Sequence, residues 1–361
     1  MILTSKSRAS IETLQIGRAF AAIAVVLYHT EVTLGLDKYI GREIFPIFRS
    51  GDSGVFYFFA LSGFVMVTAH GDDFGRQDVV LPFLWKRFRR LYPTLWVVLI
   101  TQLLLFAILP QERIPMAELP WTTLKDFLIL PWHGPSLLPV EWTLRHEVLF
   151  YLVFACALAA PQATWLIAVA LLSAIATGLI FTIPEPIDRL FSGYNLLFGF
   201  GIVAAILYRR GAFVSPVWLL LIGFLIFFAT WIALALGQYS KNIVSIWTYG
   251  AGAALIIGAA ATIERQRELR APSIALILGD ASYSIYLVHY PIVVLTSKVI
   301  CRMHPNSTFE DAAAFVAVAI LATAAGLVFH LGIEKPLLKF LPQRVRSPVQ
   351  PASAGVRSRS T

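Results

Sequence analysis

The sequence predicts an all-α fold: a polytopic integral membrane helical bundle of about ten transmembrane helices, with both termini cytoplasmic. Three observations carry that prediction. Of the 361 residues, 58% are apolar and only 14% charged, whereas a soluble domain carries about 25% charge. Windows of about 18 to 25 mostly apolar residues, long enough to cross a bilayer as helices, recur along the chain with no soluble block between them. With the amino terminus inside, 18 Lys and Arg residues fall on the inner side and nine on the outer side, while Arg18 and Arg145 lie within helices. That asymmetry matches the bias that orients membrane proteins. These properties exclude a secreted disulfide scaffold, a cytosolic Rossmann-type enzyme and a disordered polypeptide. The net charge of +8 has no soluble basic face to occupy, so membrane lipids are expected partners and nucleic acid is not.

In order, the windows lie at 14–35, 54–69, 91–110, 143–160, 164–182, 191–207, 216–236, 243–263, 279–297 and 312–333. Arg18 interrupts the first, whose length suits an uncleaved anchor rather than a signal peptide. The second is short. Between the third and fourth, the outer stretch 111–141 contains Pro115, Pro120, Pro131, Pro135 and Pro139, too many for a long uninterrupted helix, and is a candidate lid. The membrane domain is expected over 1–342. Residues 343–361, rich in Arg, Ser and Pro, read as a disordered basic cytoplasmic tail. No internal repeat has a fixed period. The two cysteines, Cys156 and Cys301, are too few for a disulfide framework or a four-ligand zinc site and are expected to be small buried hydrophobes.

Ionisable residues inside apolar sequence mark candidate chemistry. Arg18 and His29 are eleven positions apart in the first helix, about three turns, which places them on one face about 16 Å apart in depth. Arg87 and Arg90 share a face at the cytoplasmic mouth of the third helix. Paired arginines there suit either a polyphosphate or lipid headgroups. Glu147 enters the fourth window from the outer side, at the depth assigned to His29. It either orients that imidazole or pairs with Arg18 or Arg145 for structural reasons. Ser282, Tyr286 and His289 fall at i, i+4 and i+7, one polar stripe that either lines a cavity or bonds neighbouring helices. The other histidines, His70, His133, His146, His304 and His330, show no metal-ligand spacing, so no metal is expected.

Taken together, these pieces resemble the acyltransferase-3 family of integral membrane acyltransferases, and in particular its bacterial exopolysaccharide and lipopolysaccharide O-acetyltransferase branch. The resemblance runs from about residue 14 to 336. It rests on Arg18 with His29, on Gly54-Val55 through Phe58-Phe59-Ala60-Leu61-Ser62-Gly63-Phe64, and on Arg87-x-x-Arg90 before Tyr92-Pro93. Trp142-Thr143-Leu144 with Glu147, Phe150 and Tyr151, then Ser282 through His289, and Glu334-Lys335-Pro336 continue it in register. The resemblance implies transfer of an acyl group, usually acetyl from acetyl-CoA, onto a sugar hydroxyl at the outer face of a bacterial inner membrane. It also implies that Arg87 and Arg90 serve the acyl-CoA and that Arg18 and His29 serve activity. Many members carry Asp where this chain has Phe56.

The expected mechanism follows. Acyl-CoA is a co-substrate rather than a tightly bound cofactor, docked from the cytoplasm at Arg87 and Arg90, and the acceptor is a carbohydrate or glycolipid. His29 is the expected general base and Glu147 its orienting carboxylate, with Ser282, Tyr286 and His289 lining the substrate cavity. A covalent acyl-histidine relay is the variant of this scheme. The competing class is a proton-coupled transporter or flippase in which Arg18, His29 and Glu147 form a relay. A cytoplasmic polyphosphate grip separates the two, since a proton-coupled carrier has no need of one.

Overall fold

A computed structural model of the chain describes residues 11–108, 114–237, 241–267, 270–303 and 307–341; the tail expected over 343–361 lies outside them. The described residues form helices α1 (Glu12–Leu34), α2 (Gly54–His70), α3 (Val80–Ile108), α4 (Leu119–Phe127), α5 (Trp142–Ala159) and α6 (Thr164–Gly178). They continue through α7 (Asn195–Arg209), α8 (Pro216–Ala235), α9 (Ile243–Arg267), α10 (Ser273–Ile300), α11 (Thr308–Phe329) and α12 (Lys335–Phe340). Each of the ten expected windows coincides with a helix. Among the described residues, eight helical segments are long and apolar enough to cross a membrane, as a chain without backbone partners in lipid requires. The two windows outside that set are α7, apolar but only 15 residues long, and α1, in which Gln15, Arg18 and His29 lower the hydropathy. The protein is a multi-pass helical membrane bundle.

Helix α2 runs through the middle, packed on α7, α1 and α9. Close approach comes from small residues, the usual device where lipid tails offer helices no hydrophobic reason to associate. A Cβ at Gly201 of α7 would fall 1.8 Å from the Ala60 carbonyl oxygen of α2. At Gly279 of α10 it would fall 2.3 Å from the Gln15 carbonyl oxygen of α1. By contrast α6 has a single buried residue, Ile175, and turns Trp165, Leu166, Val169 and Leu172 outward, as a lipid-facing helix does. Cys156 is also exposed and Cys301 half-buried. The expectation of buried cysteines fails because Cys156 falls on the outward face of α5, where lipid rather than protein is its apolar surrounding.

Two boundaries differ from the sequence expectation in ways that matter for function. Helix α3 begins at Val80 and runs 29 residues, so Arg87 and Arg90 lie within a helix rather than at its mouth. The run Lys86, Arg87, Arg89, Arg90 depresses local hydropathy, although Lys and Arg themselves favour helix. The proline-rich stretch folds back onto the bundle, with α4 short and a 3-10 turn at Pro139–Glu141 leading into α5. Its anchor is ionic: Arg145 donates to Asp126 at 2.8 Å and Glu141 at 3.4 Å. Lys125 Nζ donates to the carbonyls of His133 and Pro135 at 3.0 and 2.5 Å. Burial pushes the Asp126 carboxyl up from its ordinary range, opposed by hydrogen bonds from Leu137 and Ser136 and by the charge of Arg145.

The start of α1 and the last helix, α12, lie at one end of the bundle. Glu264 of α9 accepts the backbone N–H groups of Glu12 and Thr13 at 2.8 and 2.7 Å, and Arg89 of α3 donates to the backbone carbonyl of Leu341 at 3.2 Å. We term this the basic end.

Two predictions follow from this packing. In a chain whose two native cysteines are replaced by serine, Asp78→Cys and Lys38→Cys, both exposed, should be labelled by a membrane-impermeant maleimide from opposite faces of sealed vesicles. Labelling of both from one face would overturn the alternation of helices. Gly279→Val should destabilise the purified protein by about 1–3 kcal/mol through overpacking, read as a lowered unfolding temperature in detergent. Gly199→Ala, with nothing within 4 Å of its added carbon, should be neutral to slightly stabilising.

Candidate active site

A cavity of about 530 Å³ occupies the half of the bundle nearer the basic end, and it draws on six helices. It is lined by Arg18 from α1, Ser62 from α2, Arg87 and Arg90 from α3, Glu147 and Tyr151 from α5, and Ser282, Tyr283 and Tyr286 from α10. Three arginines therefore face one carboxylate in a space walled otherwise by apolar and aromatic side chains. Arg18 spends its donors on Ser282 Oγ and Gln15 Oε1, each at 3.2 Å. Glu147 accepts from the Tyr151 hydroxyl and from Ser62 Oγ, the latter at 3.2 Å. Arg87 lies over the rings of Phe83 and Tyr151, 5.4 and 5.5 Å from their centroids, and its buried Nε has no partner in the described structure. A positively charged cavity with a spare guanidinium donor is suited to an anion rich in acceptor oxygens.

The structure thus unites Arg18, Arg87, Arg90, Glu147, Ser282 and Tyr286, which are distant in sequence, and leaves His29 and His289 outside the cavity lining. The expected pairing of Glu147 with His29 is not made. The reason is depth. The Tyr286 hydroxyl donates to the Val140 carbonyl at 2.8 Å and shares a 2.9 Å hydrogen bond with Thr143. This holds the first turn of α5 at the level of Tyr286, about 20 Å short of the far end of α10. Glu147, one turn further inward, reaches the level of Arg18 and Ser282 rather than that of His29. Arg145, the other structural partner considered for Glu147, is taken by Asp126 and Glu141.

Beyond Tyr286 lies a second cluster. The ring of His289 is 5.7 Å from that of Tyr286 and 5.0 Å from that of His29, and Tyr28 and Tyr290 flank His29 at 4.9 and 5.3 Å. His289 is fully buried, and its Nδ1 lies 2.6 Å from the Tyr286 carbonyl oxygen. A carbonyl only accepts, so Nδ1 carries the proton and Nε2 presents a lone pair. His289 Nε2 and His29 Nδ1 are both buried without a hydrogen-bond partner in the described structure. Two facing imidazoles with bare nitrogens are an arrangement able to hold a hydroxyl group and take its proton. Phe56 is buried between the rings of Tyr194 and Tyr249 at 5.5 and 5.4 Å and reaches neither the cavity nor the histidines.

Sequence reasoning missed the partners that fix these groups. Ser62 and Tyr283, whose hydroxyl donates to the Leu91 carbonyl at 2.8 Å, stand in the strings that carry the family resemblance but were given no role there, and Gln15 was not singled out at all. Tyr151 was accessible, since it stands at i+4 from Glu147. Among the described residues no three His, Cys, Asp or Glu side chains group closely enough to hold a metal ion.

Comparison with known proteins gives a consistent result. Residues 11–331 match the family model described as an acyltransferase domain. The chain is 26% identical to the exopolysaccharide production protein ExoZ of Rhizobium meliloti (strain 1021), over 81% of this chain and 91% of that one. It is 27% identical to the acyltransferase MdmB of Streptomyces mycarofaciens, over 91% of each chain. No solved structure matches the chain significantly. The family match covers nearly the whole helical bundle, including the cavity and the histidine cluster, and the chain belongs to the acyltransferase-3 family of multi-pass membrane acyltransferases.

Proposed function

We propose that the protein moves an acyl group, acetyl from acetyl-CoA, onto a hydroxyl of an exported polysaccharide or glycolipid across the inner membrane of a bacterium. The observation that carries this reading is the cavity in which three arginines outnumber one carboxylate, reaching from the basic end to Tyr286. The basic end is cytoplasmic in this scheme, where acyl-CoA is available. The donor's phosphates bind Arg87 and Arg90 with Arg18 deeper in the cavity, and its thioester extends toward Tyr286. Glu147, fixed by Tyr151 and Ser62, offsets part of the arginine charge when the donor is absent. The printed name of the Rhizobium relative supports a polysaccharide acceptor.

His29 acts beyond Tyr286. It accepts the proton of the acceptor hydroxyl as that oxygen bonds to the thioester carbonyl carbon. Collapse of the tetrahedral intermediate breaks the C–S bond, and the proton passes from the imidazolium to the leaving thiolate. His289, its tautomer fixed by the Tyr286 carbonyl, packs its ring against that of His29, where Glu147 was expected to stand. The proton-relay reading loses its geometric basis, because Arg18 and Glu147 lie in the cavity while His29 faces His289 outside it.

Transfer of labelled acetyl from acetyl-CoA by the purified protein tests the proposal. Arg87→Ala and Arg90→Ala should each raise the Michaelis constant for the donor by about 10- to 100-fold, as expected for a lost charge-assisted phosphate contact of about 1.5–3 kcal/mol. Unchanged donor kinetics in both would assign the pair to lipid headgroups. His29→Ala should lower the rate of transfer by about 10²- to 10⁴-fold while CoA still binds. Wild-type transfer by that variant would remove His29 from the chemistry.

A further inference from the structure

At the end of the bundle opposite the basic end, a second hollow of about 290 Å³ opens where the loops before α5 and α7 meet, with Trp142, His133, Arg145 and Arg189 in its wall. Its polar groups are locked in place. Arg189 Nη2 donates to His133 Nδ1 at 3.0 Å, which leaves the proton on Nε2, and Nε2 donates to Asp188 Oδ2 at 2.5 Å. Glu185 accepts the backbone N–H of His133 at 3.0 Å, and Lys125 holds the carbonyl of the same residue at 3.0 Å. These bonds consume most of the hydrogen-bonding capacity but not all of it. Arg189 Nε, a donor, and Asp188 Oδ1 and Glu141 Oε2, both acceptors, are buried without partners in the described structure.

The charge differs in kind from that of the donor cavity. Arg145 is met by Asp126 and Glu141, and Arg189 lies beside Asp188 and Glu185. No positive charge is left over to attract a phosphate or a carboxylate. The hollow instead offers the spare Nε–H donor of Arg189 and the side of the Trp142 indole. That set matches a neutral pyranose, whose hydroxyls accept as well as donate and whose C–H face stacks on an aromatic ring. We infer that this hollow seats a neutral sugar residue of the acceptor. The inference rests on the proposal that the acceptor is a carbohydrate. It adds where that carbohydrate is held and by what.

The position relative to the chemistry supports the assignment. Trp142 borders the hollow and Thr143, the next residue, borders the donor cavity, so the two chambers meet on either side of the first turn of α5. Thr143 is bonded to Tyr286, whose ring neighbours His289. A chain of sugars seated at Trp142 has its next residue at the partition between donor and base.

The experiment uses oligosaccharides cut from the alkali-deacylated surface polysaccharide of the cells that carry the protein, with binding to detergent-solubilised full-length protein read by saturation-transfer NMR. Trp142→Ala and Arg189→Gln should each weaken oligosaccharide binding about tenfold or more, the loss of one good stacked or hydrogen-bonded contact. Trp142→Phe, which keeps an aromatic ring, should stay within about threefold. Acetyl-CoA binding should be unchanged in all three, which also certifies their folding. Should Trp142→Ala fail that check, Arg189→Gln and Trp142→Phe carry the test. Equal oligosaccharide binding by Arg189→Gln and wild type overturns the assignment, as does wild-type protein that binds acetyl-CoA but no oligosaccharide. Wild-type protein that binds no acetyl-CoA overturns the donor proposal instead.

Discussion

The hydrogen bonds of one tyrosine hydroxyl set the geometry on which the rest of this protein depends. Tyr286 Oη donates to the Val140 carbonyl and is bonded to Thr143, so the first turn of α5 is held in the interior of the bundle rather than at its surface. Everything downstream follows from that depth. Glu147 arrives among Arg18, Arg87 and Arg90, Trp142 is left to border the hollow at the opposite end, and Tyr286 itself becomes the wall between the arginine cavity and the histidine pair. A buried hydroxyl–carbonyl bond of this kind contributes only about 1 kcal/mol net, but leaving either partner unsatisfied in the membrane interior costs more, which makes the register specific.

The distribution of buried charge divides the molecule into two chemically different halves. Near the basic end, arginines exceed carboxylates and one guanidinium nitrogen of Arg87 is unused. An uncompensated cation in a low-dielectric interior is costly, and the arrangement is relieved by an anionic occupant. At the other end Lys125, Asp126, Glu141 and Arg145 close on one another, and their role is to clamp the proline-rich loop onto α5. The same residue types thus leave an excess of positive charge in one place and compensated charge in the other, because of who their neighbours are.

Between the two halves sit His29 and His289. Fixing His289 through Nδ1 to the Tyr286 carbonyl gives its other nitrogen a single role, that of acceptor, without a carboxylate. The ring of His29 packs 5.0 Å from that of His289, and His29 Nδ1 and His289 Nε2 both lack a hydrogen-bond partner in the described structure, so the pair brings two bare nitrogens together without adding negative charge.

How much of this was legible in the sequence follows from the range of each interaction. Periodicities confined to one helix were readable. The ten apolar windows, the Arg87–Arg90 spacing and the stripe of Ser282, Tyr286 and His289 are fixed by 1.5 Å rise and 3.6 residues per turn, and the family resemblance rested on such local strings. Charge bias gave an expected orientation, because it acts on whole loops during insertion. Only the tertiary structure decided which helices meet at which height. The start of α3 was hidden because its arginines lower hydropathy while favouring helix. The partner of Glu147 was hidden because relative depth is set by contacts between chains of residues far apart in sequence, at Gly279 against Gln15 and at Tyr286 against Val140. The sequence by itself determined a helical membrane protein with a set of buried ionisable groups; their sorting into an arginine-lined cavity, a histidine pair and a charge-compensated hollow was decided by helix register, which no single helix encodes.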